Sequence, residues 1–293
     1  MVNGLPKKYS STKNKDRVRD EDTKLIKNEF LRKGKRLNYL GMPSGKIKDI
    51  LTWRKYLEKF TAIEIDETQR GEMVLNAARE GISGNLNILF GDIEEILISG
   101  KDKFGNRLNC PYDIIFLDFF GPIFYVGFSR VKAISALVQK QVGHPFLLLI
   151  TLNLRERRYS KAKCIKEINK IKKELLRVFS DIVIQKNIEQ IFEWYSNPKT
   201  DEMYRQKLFV PYFIKNISEN CGFKVHVYTP IFYKGFNKQP MIHFIFRLEP
   251  EQNCVLRAFS NQSILDIINI KIKEAKGGRV NLLKFQAPSL ANI

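Results

Sequence analysis

The sequence predicts an α/β domain built on a doubly wound, mostly parallel seven-stranded sheet that ends in a β-hairpin. Three observations predict it. Unbroken apolar runs at 114–117 (IIFL) and 146–152 (FLLLITL) have the pattern of strands covered by helices on both faces. Stretches with apolar residues at helical spacing alternate with these runs, as in successive β/α units. The last two candidate strands, 223–233 and 241–248, are joined by a loop bearing Gly235, Asn237 and Pro240, which makes them an antiparallel pair.

Size and composition set the frame for these elements. At 293 residues, 44% hydrophobic and 28% charged, the chain can bury one large core or two modest ones. It holds no apolar run of about 18 residues, so no membrane span is expected, and the first residues lack the apolar core of a secretory signal. The four cysteines form no CxxC pair and the three histidines no metal-ligand spacing. Neither a metal site nor a disulfide framework is therefore expected, and a reducing compartment such as the cytoplasm fits. Fifty Lys and Arg against 31 Asp and Glu give a net charge of +19. A field of that sign favours polyanions, nucleic acid before an acidic membrane surface, the alternative being a lysine-rich chain with no specific partner.

Residues 1–20 place Lys7, Lys8 and Arg17 among Ser, Asn, Gly and Pro, and read as a flexible basic arm that either tracks a phosphate backbone or is idle. Leu25, Ile26, Phe30 and Leu31 then recur at helical spacing, with Asp20 or Asp22 as N-cap and Gly34 as stop. RLNYLGMPSG (36–45) reads as a strand and a tight loop, followed by a helix through Ile47, Ile50, Leu51 and Leu57. Gly41 and Gly45 permit close backbone approach to a ligand at a helix start, or serve a structural turn. FTAIEID (60–66) is a second strand, ending in Glu64 and Asp66. An acid about 20 residues after the glycine loop is placed to accept hydrogen bonds from ribose hydroxyls. After a helix through Met73 and Ala77, a third strand (86–90) leads to Gly91-Asp92 and a helix from Ile93. Asp92 either caps that helix or meets an exocyclic amine. In YDIIFLDFFGP (112–122) the apolar run stops at Asp118. A carboxylate at the carboxyl end of a parallel strand stands where open α/β sheets bind ligands, or else starts a turn.

GMPSG, Glu64, Asp92 and YDIIFLDFFGP, in this order on successive strand ends, resemble the motifs of class I S-adenosylmethionine-dependent methyltransferases over about residues 38–250. The resemblance implies a Rossmann-like domain in which Gly41, Met42, Pro43, Ser44 and Gly45 cradle the methionine part of the cofactor. Glu64 would bind its ribose and Asp92 its adenine amine, with Ile93 against the ring. Asp118 falls at the first position of the DPPY-type motif of amino-methyltransferases acting on nucleic-acid bases. There it would hold the target amine while Phe119 or Phe120 stacks on the base. The sequence departs from the family in its glycine loop, which lacks the acid-x-Gly-x-Gly start, and in Phe119-Phe120 standing for two prolines.

A helix over 127–141 and the strand 146–152 complete the parallel series. Arg155, Arg157 and Arg158 follow that strand, on the ligand side of such sheets, and are read as phosphate contacts. The segment 181–205 is read as a lid insertion, with Tyr195 beside Ser196-Asn197-Pro198 as its exposed aromatic. Residues 251–293 form a helical extension and tail that docks on the body, on a protein partner or on nothing. The expected domains are thus the arm (1–20), the methyltransferase-like domain (21–250) and the extension. The expected function is methyl transfer from S-adenosylmethionine to nucleic acid, at a base nitrogen. The alternatives are an inactive nucleic-acid-binding or scaffold protein on the same fold, and a ribose 2′-O-methyltransferase using a lysine such as Lys132 or Lys140 beside Asp118.

Overall fold

A computed structural model of the chain describes residues 12–124, 129–141, 143–154, 161–178, 182–197, 200, 202–251, 266–268, 270 and 273–274. Its parallel strands are β1 (Leu37–Gly41), β2 (Leu57–Glu64), β3 (Leu86–Phe90), β4 (Ile114–Phe119) and β5 (Phe146–Asn153), in the order β3-β2-β1-β4-β5. The antiparallel end consists of β6 (Phe223–Val227), β7 (Ile231–Lys234) and β8 (Pro240–Pro250). β8 pairs with β5 on one side. On its other side lie both β6 and β7, so the expected strand 223–233 is broken around Pro230. A two-residue strand, β9 (Lys273–Glu274), runs parallel to β7 at the margin of the sheet.

Side chains alternate between the two faces of each strand, and each face has its own helices. The first face carries Tyr39, Ala62, Phe116, Leu149 and Ile245. It is covered by α1 (Lys13–Lys33), α2 (Lys48–Trp53) and α3 (Glu67–Arg79), which contribute Ile26, Ile50, Trp53 and Met73. The second carries Leu40, Ile115, Leu117, Ile150 and Phe244 beneath α4 (Ile93–Ser99), α5 (Arg130–Lys140), α6 (Lys161–Val178), α7 (Ile182–Ser196) and α8 (Glu202–Asn220).

Three expectations are corrected. Residues 13–20 are not a loose arm: they are the first turns of α1, which Thr12 starts by accepting the Lys15 N–H at 3.2 Å. Arg17 therefore sits on a helix; Lys7 and Lys8 lie outside the described residues. The segment 182–196 is not a lid loop, because Ile188, Ile191, Phe192 and Tyr195 fall at i, i+3, i+4 and i+7 and bury one helical stripe. Tyr195, expected to be exposed, is fully buried. Of the alternatives for the extension, its described parts take the first and pack on the body: Ile267 and Ile268 are buried, and the Ile268 carbonyl accepts from Lys207 Nζ at 3.0 Å.

Candidate active site at the carboxyl ends of the strands

The centre of the site is set by unequal strand lengths. β1 ends at Gly41, whose register partners are Ala62 on β2 and Phe116 on β4. β2 runs two residues further, to Glu64, and β4 three, through Asp118 to Phe119. With strands about 4.8 Å apart and about 3.3 Å per residue, these acids flank a notch roughly 10 Å wide and 7 Å deep above Gly41. By alternation, Gly41, Glu64 and Asp118 share the face covered by α1. The notch also lies where the strand order reverses, between β1 and β4.

Glu64 has no ion-pair partner among the described residues. Its Oε1 accepts the N–H groups of Ile65 and Asp66, each at 2.8 Å. Burial pushes its carboxyl above the usual carboxylate range, against the pull of those two bonds. Gly91 N donates to the Glu64 carbonyl at 3.0 Å, which brings Asp92 alongside. Asp92 caps α4, its Oδ1 accepting from Glu94 N at 2.8 Å and Glu95 N at 3.2 Å. Ile93 is buried in the core as the first residue of that helix.

Asp118 is engaged from α1. Lys15 Nζ lies 2.8 Å from its Oδ2, and the carboxylate beside it raises the Lys15 ammonium above the ordinary lysine range. No regularity of the sequence pointed to this lysine. Nor does Lys140 take that place, since its Nζ bonds the Leu97 and Ile98 carbonyls. Arg19, one turn further along α1, pairs with Asp49 of α2 at 2.6 Å. Asp118 is in register with Thr151 of β5, and Thr151 with His243 of β8, so one row of polar side chains crosses the sheet under α1. Thr151 Oγ1 is 2.8 Å from His243 Nδ1, and His243 Nε2 is 2.9 Å from Asp22 Oδ1, all three residues being buried. The imidazole is thus engaged at both nitrogens, by Thr151 at one and Asp22 at the other.

The two phenylalanines after Asp118 part company. Phe119, one of the two rings expected to stack on a base, is instead buried on the opposite face, with the Arg130 guanidinium 4.8 Å from its ring centroid. Phe120 is half-exposed, at 50%. Arg130 also fixes the turn that presents Phe120, donating to the carbonyls of Phe120 at 2.8 Å and Pro122 at 2.6 Å and pairing with buried Glu94 at 3.2 Å. Gln206 of α8 accepts the Ile123 N–H at 3.0 Å on the far side of the turn. Arg155, Arg157 and Arg158 lie outside the described residues.

Whether these residues fit an adenosine-bearing cofactor divides by position. At the nucleoside end the fit is good: Glu64 has a desolvated carboxylate bonded only to its own backbone neighbours, and Asp92 stands beside it. At the glycine loop the surroundings are tighter. A Cβ on Gly41 would come within 2.0 Å of the Tyr39 hydroxyl, and one on Gly45 within 2.4 Å of Glu72 Oε2, so protein packing already requires both glycines. Gly45 N donates to Gln69 Oε1 at 2.9 Å and its carbonyl accepts from Asn76, which ties the loop to α3. Met42 and Ser44 are half-buried, while Pro43 is buried. The Tyr39 hydroxyl is itself buried without a hydrogen-bond partner among the described residues, and it points to the end of β1. With no access to solvent, that hydroxyl fills the space beside Gly41. The residues present thus fit the group at its nucleoside end, while the glycine loop is closed by its own packing.

No family model matches the chain, and no curated protein matches its sequence. Solved structures with a similar arrangement include yhhF from Escherichia coli, 12% identical over 84% of this chain and 92% of that one, at a TM-score of 0.44. An rRNA methylase from Streptococcus thermophilus is 13% identical over 74% of this chain and 89% of that one, at 0.40. Trm5b from Pyrococcus abyssi is 12% identical over 80% of this chain but 49% of its own length, at 0.43. At such scores the sheet itself carries the assignment: five parallel strands ordered β3-β2-β1-β4-β5, closed by an antiparallel β8 and the broken strand beyond it, give the chain the Rossmann-like fold of class I S-adenosylmethionine-dependent methyltransferases.

Proposed function

We propose that the chain transfers a methyl group from S-adenosylmethionine to nucleic acid, at a base nitrogen. The observation that carries the reading is the notch above Gly41, flanked by Glu64 and Asp118 and opening toward Asp92. Glu64 would hold the ribose hydroxyls, Asp92 the adenine amine, and the Gly41–Gly45 backbone the methionine end. Bound there, the cofactor supplies an electrophilic methyl group on a sulfonium whose thioether is a good leaving group. What remains for the protein is to orient the acceptor in line with that methyl group and keep its lone pair free. Asp118 does this by accepting a hydrogen bond from the acceptor, and Phe120 offers a half-exposed ring on the adjoining turn. The net charge of +19 supports a polyanionic acceptor. A base within a duplex would have to leave the stack to reach Asp118.

The Lys15–Asp118 pair favours a second reading, with a ribose hydroxyl as acceptor. Lys15 is held charged, which rules it out as the base in this geometry. Instead Asp118 would take the hydroxyl proton while the ammonium stabilises the developing alkoxide. Incubation with labelled S-adenosylmethionine and pooled DNA and RNA tests both readings. Transfer that disappears in Asp118→Ala supports them, and analysis of the methylated nucleoside separates base from ribose. Cofactor binding by calorimetry without transfer to either polymer would favour the inactive, nucleic-acid-binding alternative.

A further inference from the structure

The β3 margin of the sheet carries a feature outside the notch. Residues 100–108, between α4 and β4, fold into a tight hairpin. Leu108 N donates to the Gly100 carbonyl at 2.9 Å, Lys101 and Arg107 bridge antiparallel, and Gly105 takes φ 86° at the tip. Asp102, buried, holds the hairpin together. Its Oδ1 accepts from Phe104 N at 2.9 Å and Asn106 N at 2.8 Å, and its Oδ2 from the Asn106 side chain at 2.9 Å and Phe90 N at 3.2 Å. Lys103 N donates to the Phe90 carbonyl at 3.0 Å, which fastens the hairpin to the end of β3.

On this rigid frame Phe104 is 63% exposed. One face of its ring stacks on Phe90, at 5.7 Å between centroids and 16° between planes. The Arg70 guanidinium lies 5.0 Å and the Lys103 ammonium 5.3 Å from the Phe90 centroid. The side chains of Lys101, Lys103 and Arg107 are exposed around it, whereas the hairpin's single acid, Asp102, is buried and committed to its own backbone. A fixed aromatic ring among uncompensated cations is the combination that binds single strands, the ring stacking on a base and the cations meeting phosphates.

We propose that Phe104, with Lys101, Lys103 and Arg107, is a stacking site for one nucleobase of single-stranded nucleic acid. The proposal rests on the nucleic-acid reading above and adds where the strand is held. β3 is three strands from β4, about 14 Å across the sheet, so the base stacked here is a neighbour of the acceptor and not the acceptor itself. The site would orient the strand relative to Asp118 without touching the reacting atoms.

Fluorescence anisotropy of labelled oligothymidylate and oligouridylate with the full chain tests this. Phe104→Ala is expected to weaken binding by about 5- to 150-fold, the range for loss of one stacked base. Phe104→Tyr should bind as the parent chain does. Phe104→Leu keeps an apolar cover over Phe90 and should lose as much affinity as the alanine variant. Lys103→Ala with Arg107→Ala should reduce the slope of log affinity against log salt by about 1.4, for two phosphates on a single strand. Leu75→Ala, at an exposed position on α3, is the control and should change nothing. Unchanged affinity in Phe104→Ala, recovery of affinity in Phe104→Leu, or a loss of cofactor affinity in place of oligonucleotide affinity would each overturn the site and leave the nucleic-acid reading standing. A parent chain that binds neither oligonucleotide would overturn that reading and the site with it.

Discussion

Neutralising Lys15 and Asp118 separately and together measures how firmly α1 is held over the notch. At 2.8 Å and an effective dielectric constant of 20, the Coulomb attraction is about 6 kcal/mol. Desolvation and the ordering of a long side chain oppose it, and both partners are about one quarter exposed, at 29% and 23%. A charge-assisted hydrogen bond contributes about 1.5–3 kcal/mol net, and the exposure lowers this to roughly 1–2 kcal/mol. In a urea-unfolding cycle of Lys15→Met, Asp118→Asn and the double variant, the coupling energy should fall in that range. For a domain this large each kcal/mol shifts the melting temperature by about 2–4 °C. The pH dependence has a definite sign: a lysine whose folded-state value is raised contributes stability that is fully present below its unfolded value, about 10.4, and lost as pH rises further. A coupling energy below about 0.3 kcal/mol, the usual additivity error, would refute the picture of Lys15 seated on Asp118.

The buried row beyond that pair should be less forgiving. His243→Leu strands Asp22 and takes one of the partners of Thr151, and should cost about 3–5 kcal/mol in urea unfolding, whereas Asp22→Asn, which keeps a hydrogen-bonding group, should cost less. Phe119→Ala should cost about 3–5 kcal/mol through the cavity it leaves, while Phe120→Ala should change stability by less than about 0.5 kcal/mol and show its effect in methyl-transfer kinetics. Tyr39→Phe removes a buried hydroxyl that lacks a partner among the described residues, and should raise stability by about 1 kcal/mol by calorimetry. Glu64→Ala should abolish tight binding of S-adenosylmethionine in a titration. In the parent chain, affinity that needs the Glu64 carboxylate should begin to fade, as pH falls, at a higher pH than an ordinary glutamate would give, because burial holds that carboxyl above its usual range.

The parallel strands were legible because helices on both faces leave unbroken apolar runs: β3 and its flanking Gly91-Asp92 fall where pattern places them, and β4 stops its apolar run at Asp118. The start of α1 was not legible. Its buried stripe is Val18, Asp22, Ile26 and Glu29, so every second inward position is an acid and the apolar period is hidden. Glu29 is paired locally by Arg32, but the partner of Asp22, His243, arrives from far along the chain, and one sequence holds no record of such pairing. Tyr195 was misjudged for the opposite reason. The Ser-Asn-Pro that follows it suggested a loop, yet Tyr195 belongs to the last turn of a helix whose inward stripe was present at 188, 191 and 192. The split between Phe119 and Phe120 follows from strand alternation beyond Asp118, which determines that one of the pair faces inward.

β9 is two residues long, but it lies against β7 at the margin of the sheet. A bare margin is a template on which another chain can add a strand. By pairing with Ile231 and Phe232, Lys273 and Glu274 occupy part of that template. A chain cut after Pro250 should therefore keep its notch and its cofactor affinity but form oligomers at concentrations where the intact chain stays dispersed.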